Sequence, residues 1–128
     1  MGLDQRAWAV EQCDNSKEGK FKELQIGEWR KHNRLQGWME DLWVAKGNDI
    51  RGFNQTSMPL TMEDIEKLEQ DINKMALPAT EGFFYGGDSY TDPSPARNYY
   101  YEKEDREFVR QAKFYLEQGK EVWYWCWW

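Results

Sequence analysis

Two short segments hold the side chains best suited to chemistry. The first is Arg30, Lys31, His32 and Asn33, which opens a stretch with helical apolar spacing. A helix start presents unpaired N–H groups, and adjacent cations reinforce them, so this segment suits a small anionic ligand. A step of about 100° per residue puts Lys31 and His32 on or beside the stripe of Leu35, Trp38, Met39 and Leu42. The plainer alternative has Lys31 running its stem past the first core turn, with His32 a hydrogen-bonded boundary residue. The second segment runs from Gly82 to Tyr90. Its glycines let a ligand approach the backbone, Phe83, Phe84, Tyr85 and Tyr90 offer flat faces for stacking, and Asp88 offers an acceptor for hydroxyl or amine groups. The alternative here is a glycine-rich turn whose aromatics belong to the core. The ligand-binding set is therefore Arg30, Lys31, His32, Asn33, Gly82, Tyr85, Asp88 and Tyr90. Both segments are expected on one side of a sheet, around a shared pocket.

Other chemistry finds little footing. The sequence has no phosphate-binding P-loop, no nucleophile elbow, no dinucleotide fingerprint and no paired-histidine zinc motif. Any serine or cysteine triad must use His32, the single histidine, and no spacing brings a serine, Cys13 or Cys126 to it. Enzyme is therefore the lesser reading, with the catalytic residues unknown. Cys13 and Cys126 lack metal-ligand spacing, so neither a metal nor a cofactor is expected; the pair permits one disulfide without arguing for it. A net charge of −6, with the basic residues densest only at Arg30–Arg34, argues against nucleic acid as a partner. No apolar run approaches the roughly 20 residues that span a bilayer, so no membrane partner is expected. The first residues show no signal peptide, and Arg6 stands where an acylation signal wants Ser or Thr, so the default location is cytosolic.

Aromatic residues are in surplus. Eight tryptophans and seven tyrosines in 128 residues exceed what a core this small needs, and aromatics left outside a core mark interfaces or stacking platforms. Tyr99–Tyr101 and Trp127–Trp128 are the expected exposed examples, while Asp4 and Arg6 read as a solvated pair.

The elements that must position these residues form one α+β domain over residues 1–128, a small antiparallel or mixed sheet with about three helices packed on it. Strands are expected near 3–10, 21–26, 82–85 and 121–128. Helices are expected over 29–46, 62–76 and 102–118. The first helix rests on the spacing of Leu35, Trp38, Met39, Leu42 and Ala45. Thr61 with Asp64 gives the second a near relative of the capping box, and Met58-Pro59-Leu60 before it reads as a short extended piece. Glu102–Asp105 gives the third an acidic first turn. In Glu121–Trp128 both alternating faces are apolar. That fits a central strand covered on both sides, or one that presents an aromatic ligand surface.

Four blocks then carry a family resemblance: Met1-Gly2-Leu3-Asp4, Trp29-Arg30-Lys31-His32-Asn33, Gly82-Phe83-Phe84-Tyr85-Gly86 and the aromatic strand Trp123–Trp128. In order and content the chain resembles a family of small bacteriophage proteins that begin Met-Gly-Leu-Asp. The resemblance implies the cytoplasm of an infected bacterial host but no established activity. The phosphoglycerate-kinase label some members carry finds no support here: the chain is several times too short, and no nucleotide phosphate loop is visible. Three functions stand open. The leading one is a phage accessory protein that binds a host protein or a small anionic ligand and so alters host metabolism or defence. The second is a small enzyme acting on a nucleotide-like or sugar-phosphate substrate. The third is a virion structural protein that pairs through its tryptophan-rich strand, which would make it a homo-oligomer.

Overall fold

The computed structural model describes residues 2–12, 21–82, 85, 87–91 and 98–128. In chain order the elements are β1 (Asp4–Gln12), β2 (Phe21–Arg30), α1 (Asn33–Ala45), a 3-10 turn (Ile50–Gly52), β3 (Ser57–Leu60), α2 (Met62–Asn73), β4 (Tyr90–Thr91), β5 (Asn98–Tyr99), α3 (Glu102–Glu117) and β6 (Glu121–Trp127). The main sheet is antiparallel throughout, ordered β2-β1-β6-β3, and β4 pairs with β5 in a separate two-stranded ladder. The expected α+β class holds: three helices and one four-stranded sheet.

Alternation along the two central strands separates the faces. Gln5, Ala7 and Ala9 of β1 and Val122, Tyr124 and Cys126 of β6 are buried, and their neighbours in sequence are not. The helices cover the buried face. Phe108 of α3 meets Trp29 of β2 edge-on at 5.2 Å, and Gln36 of α1 accepts a hydrogen bond from Tyr124 of β6. Helix α2 lies against α3 and contributes Ile65, Leu68 and Ile72 to the core. It opens on a full capping box: Thr61 Oγ1 accepts from the Asp64 amide, and the Asp64 carboxylate accepts from the Thr61 amide.

Besides end shifts of a few residues, such as α2 closing at Asn73 rather than 76, two elements differ from expectation. The sheet's fourth strand is Ser57–Leu60, read from sequence only as a short extended piece, and not 82–85. The Tyr85 amide instead donates to the Gly82 carbonyl, closing a turn, and Phe83 and Phe84 lie outside the described residues. Pro59 is tolerated in β3 because that strand is the sheet's edge. The first helix begins at Asn33 rather than Trp29. Trp29 and Arg30 pair with Gln5 and Asp4 as the end of β2, and Lys31 then takes a left-handed backbone (φ 57°) that breaks strand from helix. Trp29 also lies well off the apolar stripe of α1 at about 100° per residue, so cross-strand pairing meets no competing helical signal there.

Candidate functional site

The two segments singled out from sequence do meet, through direct bonds. Asn33 donates to the Gly87 carbonyl at 2.7 Å, and its Oδ1 accepts from both the amide and the hydroxyl of Ser89. Arg34 grips Asp88 with two nitrogens, at 2.6 and 2.9 Å, and lies over the Tyr90 ring at 4.2 Å. Asp88 is accordingly held below the usual carboxylate range, chiefly by its hydrogen bonds from Arg34. Tyr90 is half-buried and its hydroxyl accepts from the Leu77 amide. Tyr85 is buried and donates to Glu40; burial, then that bond, push its phenol well up. Gly82 packs on the Tyr85 ring. His32 and Asn33 are buried, whereas Arg30 and Lys31 are exposed. Arg30 lines a hollow of about 260 Å³ with Gly2, Asp4, Trp127 and Trp128.

Sequence reasoning missed the partners of His32. Its Nδ1 lies 2.7 Å from Ser89 Oγ and its Nε2 2.7 Å from Asp105 Oδ2. Asp105 also accepts from Trp29 Nε1 at 2.8 Å and from the Tyr99 hydroxyl. The backbone of His32 is held as firmly: the Gln5 carboxamide donates to its carbonyl and accepts from its amide. Serine, imidazole and carboxylate in line are the parts of an activated nucleophile. Here, however, Ser89 is only 4% exposed, and its Oγ is also 2.8 Å from Asn33 Oδ1. The amides that would stabilise an oxyanion are engaged as well, Ser89 N with Asn33 and Tyr90 N with Asp88. In this arrangement the cluster is a buried polar knot that fastens β2, α1 and α3 together. Seventy-three residues separate His32 from Asp105, and no local pattern in the sequence announces their contact.

Among the described residues no helix covers the opposite face of the sheet, and its side chains form cross-strand rows. Trp8 of β1 lies opposite Trp123 of β6, Arg6 opposite Trp125, and Asp4 opposite Trp127. Across the other ladder the same three β1 residues face Gln25, Glu28 and Arg30 of β2. A bulge between Ala7 and Trp8 shifts the β2 register by one residue, which keeps like-facing side chains together on either side of it. Trp8, Trp123 and Trp125 are half-buried and Trp127 is 45% exposed. Trp8 and Trp125 meet at 6.2 Å with their planes 60° apart, and Trp125 and Trp127 at 6.3 Å and 59°. An open groove of about 460 Å³ follows, lined by Trp8, Trp123 and Trp125 with Val10, Ser57, Glu23 and Glu121. The signal for this face was present in the alternation of β6; Trp127 was expected outside the core, but Trp8 and Trp125 were not picked out.

Among the described residues no group of three or more His, Cys, Asp or Glu side chains is placed to hold a metal ion, and no helix is long and apolar enough to cross a membrane. Cys126 is a free, buried thiol pushed up to about 12 by burial, while Cys13 lies outside the described residues. No protein-family model, no curated protein and no solved structure matches the chain. The fold and its surfaces therefore define a class, a small α+β domain with one uncovered aromatic sheet face, and the functional reading rests on that face.

Proposed function

We propose that this chain is a binding protein whose uncovered tryptophan face docks a protein of the host, in the setting of a phage accessory protein that alters host metabolism or defence. One observation carries the reading. Trp8, Trp123, Trp125 and Trp127 share the sheet face that the helices leave open. These indoles keep part of their surface open to solvent, and tryptophan supplies a disproportionate share of binding energy at protein interfaces. The groove is also less suited to the small anionic ligand first considered, because its charged lining residues are both glutamates. The test is affinity capture from a bacterial lysate with two baits, the unaltered protein and the Trp8→Thr/Trp125→Thr variant, threonine being well suited to strands. A protein retained by the first and lost by the second, with both baits folded, supports the reading; identical retention removes it.

A second reading, a small enzyme, draws its parts from the contact chain Ser89–His32–Asp105 and requires a rearrangement that bares Ser89, which is 4% exposed here. It requires Ser89→Ala to abolish a turnover that the unaltered protein performs on a nucleotide-like, sugar-phosphate or ester substrate. Absence of turnover in the unaltered protein removes it.

A further inference from the structure

We propose that the carboxylate end of the tryptophan groove is a receptor for a guanidinium group, an arginine side chain presented by the docking partner. The proposal rests on the reading of this face as a docking surface and adds the chemistry of what it takes.

Charge comes first. Of the groove's lining residues only Glu23 and Glu121 ionise, and both are acids. The whole chain carries −6, so a phosphate or carboxylate ligand would approach against the long-range field. The indole faces attract a cation independently of these carboxylates, because the electron-rich face of the ring meets positive charge. Trp123 Nε1 donates to Glu121 Oε2 at 3.1 Å, which holds that carboxylate beside the aromatic wall.

Ring geometry selects among the ligands such a groove accommodates. A sugar or a nucleobase stacks best on a flat platform, but Trp8 and Trp125, which line the groove, stand at 60° to one another. Tilted rings enclose a compact group and offer it more than one face, which suits a cation flanked by carboxylates. The face already holds such a group in the chain itself, since the Arg6 guanidinium sits 5.8 Å over the Trp125 ring. Arginine is favoured over lysine because a planar guanidinium both stacks on indole and meets a carboxylate with two N–H groups.

The test is a titration followed by tryptophan fluorescence. The probes are the peptide Gly-Gly-Arg-Gly-Gly, the same peptide with neutral, isosteric citrulline for arginine, and cellobiose. The expected result is saturable binding of the arginine peptide, about tenfold weaker with citrulline and about tenfold weaker in the Glu23→Gln/Glu121→Gln variant. Equal binding of the two peptides, indifference to the glutamine changes, preference for cellobiose, or no binding of the arginine peptide would each overturn it. The capture experiment separates this failure from failure of the docking face. If the glutamine variant still retains a protein that Trp8→Thr/Trp125→Thr loses, the guanidinium receptor falls and the docking face stands. If the tryptophan variant retains it too, the docking face falls.

Discussion

His32 Nε2 and Asp105 Oδ2 lie 2.7 Å apart, with both side chains almost wholly out of solvent. That contact ties the start of α1 to the first turn of α3, and Asp105 extends the tie to β2 through Trp29 and to β5 through Tyr99.

Asp105→Ala is therefore expected to be severe. It strands three buried donors, on His32, Trp29 and Tyr99, at one stroke. Each buried donor left without a partner costs about 1–3 kcal/mol, against a total stability of about 5–15 kcal/mol. Urea denaturation of the two proteins measures it. A loss below about 1 kcal/mol, the range of an exposed ion pair, would mean that the knot contributes no more than a surface contact.

The thiol of Cys126 gives a probe of core integrity. Burial raises it to about 12, so at pH 8 roughly one in ten thousand molecules carries the reactive thiolate. Native protein treated with iodoacetamide is expected to stay unmodified at Cys126, and protein in denaturant to react fully, as read by peptide mass spectrometry. Rapid native labelling at Cys126 would place β6 outside the core.

Acid should weaken the link between α1 and the segment before β4. Asp88 sits below its ordinary value of 3.8 because Arg34 donates to both its oxygens. The folded state thus binds the proton less readily than the unfolded chain. The stability this supplies is fully present above the ordinary value and disappears as pH falls through the depressed folded one. Asp88 is about half-exposed, so the contribution is about 1 kcal/mol or less. Melting curves across the acid range should show Asp88→Asn losing less stability on acidification than the unaltered protein. Parallel acid limbs for the two would contradict this.

How much of this was legible in the sequence follows the reach of each physical signal. The helical stripe of Ile65, Leu68 and Ile72 and the Thr61 cap are local, and α2 begins where they point. The alternation of β6 showed two apolar faces, and the structure covers one of them: Val122, Tyr124 and Cys126 point inward, the tryptophans outward. At Trp29 the expected helix began too early: about 100° per residue puts Trp29 well off the α1 stripe, and its ladder partner is Gln5, twenty-four residues earlier in the chain. Asn33 and Asp88 lie in neighbouring segments joined by hydrogen bonds, and their engagement with Ser89 and Arg34 depends on contacts of long sequence separation. His32 was weighed as a hydrogen-bonded boundary residue, and it is more deeply buried than that.

The docking face has a readout of its own in the eight indole N–H groups of the chain. The most direct measurement is a ¹H–¹⁵N spectrum of these groups, assigned by single substitutions, before and after addition of a protein captured through the tryptophan-dependent bait. The account predicts that the signals of Trp8, Trp123, Trp125 and Trp127 move, while those of buried Trp29, Trp38 and Trp43 stay in place. Shifts confined to Trp38 and Trp43, with the outward four unmoved, would put the binding surface on the helical side of the molecule and contradict it.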